Sequence, residues 1–230
     1  MRLLLFDVDG TLILSSGAGM RAFHRAFQQV YQVVVDREVI RPDGKTDPWI
    51  AREMLAHFGL EKRWSEQTRD ALFSAYLEML EVEMSLVAAS GALHVLPGVV
   101  NLLDILAHQP DFALGLATGN LERGSQIKLR HAGLDGYFRY GGFGSDSEDR
   151  TELIRLGICR GTRLCAPEPV EAAFVIGDTP LDIMHGHQAG ARVLAVASAK
   201  YSMTGMEPYH PEMLVPNLSA VDDILSFFRA

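Results

Sequence analysis

The 230-residue chain predicts an α/β protein whose doubly wound parallel sheet is interrupted, close to its start, by an inserted all-helical segment. Three observations carry this expectation. Apolar runs of strand length stand at residues 3–6, 112–117, 172–177 and 192–197. From residue 99 onward such runs alternate with helix-length stretches, the pattern of parallel strands joined by helical crossovers. Residues 20–90 contain no strand-like run, which leaves an insertion of about seventy residues, the size of a small domain. The expected partition is a core of residues 1–14 and 93–230 and a helical cap of residues 15–92.

The first run, Leu3-Leu4-Leu5-Phe6-Asp7-Val8-Asp9-Gly10-Thr11, reads as a buried strand that ends in two carboxylates and a turn. Alternate strand residues share a face, so Asp7 and Asp9 point the same way while Val8 turns into the packing. Two like charges at the end of a water-poor strand call for a compensating divalent cation. Residues 21–35 then carry Phe23, Phe27, Val30, Tyr31 and Val34 at helical spacing. After the polar loop 41–47, Pro48 suits a first helical position with Asp47 as its cap, and that helix runs over 49–58 to Gly59. Residues 61–90 form one or two further helices with an apolar stripe through Leu72, Phe73, Tyr76, Met79 and Leu80. The turn Val95-Leu96-Pro97-Gly98 restores the α/β pattern. Helices are expected at 99–107, 121–132, 150–161, 181–189 and 218–228, and strands at 112–117, 138–143, 172–177 and 192–197. The two chain crossings, Ser15 to Gly19 and residues 86–97, are the expected hinges.

Composition narrows the function. A hydrophobic share of 48% supports a real core, and a formal net charge of −8 argues against a nucleic-acid or anionic-membrane surface. Small-molecule chemistry fits better. Cys159 and Cys165 are too few for a disulfide framework and lack the spacing of a metal or redox pair. Met1 to Phe6 begins like a signal peptide, but Asp7 and Asp9 interrupt it, and no apolar stretch approaches the ~18 residues of a membrane span. The expectation is a cytoplasmic protein, monomer or homodimer. His185-Gly186-His187 falls on a helix where residues two apart face different ways, so a pair of surface histidines is expected there rather than a metal site.

In a doubly wound sheet ligands bind beyond the carboxyl ends of the strands. The residues following three of the apolar runs are Asp7-Val8-Asp9, Thr118-Gly119-Asn120 and Gly177-Asp178-Thr179-Pro180-Leu181-Asp182. One hydroxyl and up to four carboxylates therefore converge on one edge. The Thr118-Gly119-Asn120 triplet also opens a helix, which makes it a seat for a phosphate.

These three stretches resemble the motifs of the haloacid dehalogenase superfamily, and the likeness spans almost the whole chain. The helical insertion is similar in place and size to the C1 cap of the phosphoglycolate phosphatase-like branch, on a Rossmann-like core. Dehalogenases lack the second aspartate, so Asp9 implies phosphate esters. The resemblance implies that Asp7 attacks phosphorus to form an aspartyl-phosphate, and that Asp9 is acid and then base. It implies Mg²⁺ held by Asp7, the Asp9 carbonyl and Asp178, with Asp182 behind them orienting Asp178 or metal-bound water. Thr118 would bond the phosphoryl group, and Gly119 and Asn120 would flank it.

The superfamily's lysine, commonly Lys-Pro, is missing. Arg150 is the first candidate for its role and Lys128 the second, although Lys128 reads more readily as a solvated surface cation. In the cap, Lys45 of Gly44-Lys45-Thr46-Asp47 is the candidate to reach a second anionic group on the substrate. The partner implied is a small phosphorylated metabolite. A phosphomutase of the beta-phosphoglucomutase type and a catalytically idle binding module are the alternatives.

Overall fold

The computed structural model describes residues 1–35, 40–198 and 200–230. Strand β1 (Arg2–Phe6) leads through β2 (Ile13–Leu14) into three helices, α1 (Ala18–Tyr31), α2 (Asp47–His57) and α3 (Glu66–Ala89). The chain returns along β3 (His94–Val95) and then alternates: α4 (Val99–Ala107), β4 (Phe112–Thr118), α5 (Glu122–His131), β5 (Tyr140–Phe143), α6 (Arg150–Cys165), β6 (Ala172–Gly177), α7 (Pro180–Gln188) and β7 (Arg192–Val196). The short helix α8 (Met203–Met206), strand β8 (Met213–Val215) and helix α9 (Val221–Arg229) complete it. Among the described residues no helix is long and apolar enough to cross a membrane.

The six-stranded sheet has the order β5-β4-β1-β6-β7-β8 with every pairing parallel. The first strand in sequence is therefore central, and chain order reverses on either side of it. All of Leu3, Leu4, Leu5 and Phe6 are fully buried because helices cover both faces. Leu4 and Phe6 join Leu102 and Leu106 of α4 and Phe228 of α9, whereas Leu3 and Leu5 join Leu153 and Ile154 of α6 and Ile183 of α7. Phe6 lies level with Leu116 and Ile176, so the segments after β1, β4 and β6 emerge at one edge.

Helices α1, α2 and α3 share a second core built on Phe23, Phe27, Ile50, Met54, Tyr76 and Leu80. Leu121 and Ile127, at the start of α5, belong to the same cluster, so the helical layer is packed directly onto the sheet domain beside the strand ends.

Three features depart from the sequence expectation. Asp47 does not cap α2: Thr46 does, its Oγ1 accepting the Trp49 N–H at 3.3 Å, which frees the Asp47 carboxylate for another partner. The chain crossings are not two bare hinges: β2 and β3 pair antiparallel, Ile13 with Val95 and Leu14 with His94, while residues 86–89 are the last turn of α3. A two-residue strand is too short to show a period, and β8 escaped notice for a similar reason, three residues in a polar stretch.

Because Leu4 is fully buried in the central strand, Leu4→Ala is expected to lower unfolding stability by about 2–5 kcal/mol, whereas Leu86→Ala, at an exposed position on α3, stays within about 0.5 kcal/mol. Urea denaturation of both variants against the parent chain checks this.

Candidate active site

The three strand ends meet as their register requires. Asp7 and Asp178 are buried, and together with Asp182 they offer carboxylate oxygens within 4.8 Å of one another. Gly10 makes the approach possible: it sits at φ +85°, and a Cβ there would lie 2.1 Å from Asp178 Oδ2. Thr11 Oγ1 donates to Asp178 Oδ1 at 3.3 Å, so the turn after β1 also positions the carboxylate from β6.

Arg150, the first residue of α6, is buried among these acids. Its Nη2 lies 3.4 Å from Asp7 Oδ1 and forms a close ion pair with Asp182 Oδ1, while its Nη1 donates to the Gly44 carbonyl at 3.3 Å. Its Nε is buried without a hydrogen-bond partner among the described residues. Asp182 is fully engaged: its Oδ2 accepts from the Thr179 N–H at 3.0 Å and from Thr179 Oγ1 at 2.7 Å, closing the capping box of α7. Among the described residues its bonds go to Arg150 and Thr179 rather than to Asp178.

A second cation serves the second aspartate. Lys128 on α5 is not a solvated surface charge but 4% exposed, with Nζ 2.5 Å from Asp9 Oδ2 and 2.6 Å from Asn120 Oδ1. The helix after Thr118 turns this side chain back toward the strand end, an orientation that sequence spacing alone does not reveal. Asn120 Nδ2 donates to Asp9 Oδ2 at 2.9 Å and to Thr118 Oγ1 at 2.8 Å, and the Asn120 N–H also reaches Thr118 Oγ1 at 3.3 Å. The Thr118 hydroxyl thus accepts from its own loop and keeps its proton for a ligand. Lys45 lines the cavity, but Glu53 takes its ammonium at 2.6 Å and the Trp49 ring lies 5.6 Å below it. His185 and His187 diverge, one to Thr151 and the other to Glu212.

Charge in this pocket is costly. Burial, reinforced by Asp182 and Asp9 and opposed by Arg150, raises the Asp7 pKa to about 6. Asp178 is pushed up by burial and by the neighbouring Asp182 and Asp7. Burial opposes charge on Arg150, but Asp182 and Asp7 outweigh it and push its pKa above the ordinary arginine value. The site therefore holds more anion than cation in a water-poor setting. The neighbouring Asp7 and Asp178 carboxylates offer oxygen donors, the type that suits a hard divalent cation such as Mg²⁺.

Sequence reading missed the part played by Asp47. Its N–H donates to the Gly119 carbonyl at 2.7 Å, and its buried Oδ2 accepts the Leu121 N–H at 2.8 Å at the start of α5. A Cβ on Gly119 would lie 2.2 Å from the Lys45 carbonyl, so the backbone of the helical layer passes directly against the loop after β4. The signal was present as an Asp before Pro48, read there as a helix cap. Tyr76 of α3 lines the cavity too, and burial with Asp47 and Asp9 nearby keeps its hydroxyl protonated.

Residues 4–196 match the family of haloacid dehalogenase-like hydrolases, and the chain belongs to that family. It is 27% identical over 222 residues to "Probable phosphatase IndB" of Dickeya dadantii (strain 3937), covering 95% of this chain and 91% of that protein. Its fold is that of beta-phosphoglucomutase from Clostridium difficile, with TM-score 0.74, 14% identity and coverage of 99% of this chain and 96% of that one. A predicted phosphoglycolate phosphatase from Haemophilus somnus 129PT superposes with TM-score 0.68 at 17% identity, covering 97% of each chain.

Burial holds the Asp47 pKa up to about 6, above its unfolded value, although Lys128 and the Leu121 N–H oppose the shift. A raised acid binds its proton more tightly when folded, so its stabilising effect is complete below pH 3.8 and is lost as pH rises through about 6. Asp47→Asn cannot titrate. The difference in unfolding free energy between the parent chain and this variant is expected to fall between pH 4 and pH 6.5 and to level off above, as read by urea melts across that window.

Proposed function

We propose that the chain hydrolyses small phosphate monoesters through an aspartyl-phosphate on Asp7, with Mg²⁺ as its metal. The chain is a phosphatase of the haloacid dehalogenase-like family. The observation that carries the finer reading is the pairing of each aspartate of the D-x-D stretch with its own buried cation: Arg150 beside Asp7 and Lys128 on Asp9.

In this reading an Asp7 oxygen attacks phosphorus, the P–O bond to the substrate alcohol breaks, and Asp9 delivers a proton to the departing oxygen. Lys128 and Asn120 hold Asp9 by Oδ2 and leave Oδ1 for that transfer. Asp9 then takes a proton from water, which attacks phosphorus and breaks the P–O bond to Asp7, releasing inorganic phosphate. Arg150 balances the charge that gathers on Asp7 and the phosphoryl oxygens, and the Thr118 hydroxyl donates to one of them. Asp182 aims Arg150. Bound Mg²⁺, held by Asp7, Asp178 and the Asp9 carbonyl, would supply further neutralisation and alignment of the phosphoryl group. Residues 15–92 act as the cap: Asp47, Thr46 and Gly44 bond to Leu121, Gly119, Glu148 and Arg150, so closure shields the reacting atoms from bulk water.

p-Nitrophenyl phosphate is expected to be hydrolysed with Mg²⁺, and removing the metal with chelator is expected to stop turnover. Asp7→Asn should lose at least about 10³-fold in kcat, and Asp9→Asn about 10²- to 10⁴-fold. Formation of an isomerised sugar phosphate without free phosphate would replace this reading with a mutase. An Asp7→Asn variant active at full rate would end it.

Arg150→Ala is expected to lower kcat by about 10²-fold, and Arg150→Lys to recover only part of it, because a point charge cannot meet the two carboxylates and the Gly44 carbonyl together as the two nitrogens of the planar fork do. Steady-state rates of the two variants, with circular dichroism to confirm folding, check this.

A further inference from the structure

The catalytic edge opens into a cavity of about 620 Å³ between the strand ends and the helical layer. At ~30 Å³ per water-sized group it holds about twenty, more than a phosphoryl group alone takes up. The space beyond is left for the rest of the substrate.

The wall that faces this remaining space is apolar. Met20 and Phe23 of α1, Ile40, and Ile50 of α2 line it, and all four belong to or pack against the second core. Phe23 packs against Tyr76 with ring centroids 4.9 Å apart and the planes tilted by 52°, which fixes both rings. The Tyr76 hydroxyl lines the same wall and makes no hydrogen bond among the described residues, so it offers the substrate one polar contact. The charges argue in the same direction. Among the described residues the buried and half-buried Lys and Arg side chains of the cavity are already matched: Lys45 by Glu53, Lys128 by Asp9, Arg150 by Asp7 and Asp182. Lys200 at the mouth is taken by Asp43 at 2.5 Å. Asp9 and buried Asp47 also line the cavity, so a second anion inside would meet carboxylates. Arg41 lines the cavity without an ion pair among the described residues, but it is exposed to water.

We infer that the substrate's alcohol is uncharged and largely apolar, a ring- or chain-bearing group rather than a two-carbon acid or a sugar phosphate. The inference rests on the phosphatase reading for its chemistry and on the cavity wall for its selectivity. Covering the wall with such a group removes apolar surface from water, whereas a hydroxyl-rich or anionic group would lose hydration there without gaining partners.

The test compares kcat/KM for benzyl phosphate, phosphoglycolate and glucose 6-phosphate in Mg²⁺, with p-nitrophenyl phosphate as the control for turnover. Benzyl phosphate is expected to lead by about tenfold or more, the usual range for filling an apolar pocket. Met20→Glu, at a half-buried position, is expected to reduce the ratio of benzyl phosphate to phosphoglycolate by about tenfold, while Met20→Leu preserves it. Phosphoglycolate or glucose 6-phosphate matching benzyl phosphate would overturn the inference, as would an unchanged ratio in Met20→Glu. Absence of turnover on every ester counts against the phosphatase reading alone. In that case binding decides: benzylphosphonate binding more tightly than phosphonoacetate in calorimetry supports the wall's selectivity, and equal or reversed binding rejects it.

Discussion

The buried contact among Arg150, Asp7 and Asp182 is the constraint around which the site is arranged. An acid at the end of a fully covered central strand is tolerable only with a partner, and Arg150 supplies it from a different crossover. Holding the guanidinium in place takes Asp182, and holding Asp182 takes the capping box with Thr179. Three segments far apart in sequence are thus locked in mutual register by one side chain. The energetic worth of the contact is less its attraction than the loss that follows removal of one member, which would strand the others as unmatched buried charge.

A single cation is not enough for this chemistry, and the chain uses two. Lys128 serves Asp9 from α5 while Arg150 serves Asp7 from α6. In the proposed mechanism this separation suits two aspartates with different tasks: one would stay beside the phosphoryl group, and the other, steadied by groups that touch only one of its oxygens, would pass a proton. Asn120 links the two halves by bonding both Asp9 and Thr118.

Much of this was legible in the residues themselves. The apolar runs ending in Asp7, Thr118 and Asp178 told both the sheet and its active edge, because parallel strands buried on both faces leave little choice of composition. What stayed hidden depended on direction rather than identity. Nothing local shows that Lys128 turns inward, that Lys45 is spent on Glu53, or that Asp47 reaches α5 instead of capping its own helix. The Lys128 and Asp47 contacts are decided by tertiary approach across tens of residues. The pairing of β2 with β3 was likewise beyond reach, since two residues carry no period.

That small pairing shapes how the molecule can vary. Because the outgoing and returning strands run side by side at Ile13–Val95 and Leu14–His94, the chain leaves the sheet for the helical segment and comes back to it at one place. The loop-closure entropy of such an attachment grows only with the logarithm of the inserted length. A lineage with this fold can therefore lengthen, shorten or exchange its helical segment, and with it the leaving group it accepts, while the parallel strands and their phosphorus chemistry stay as they are.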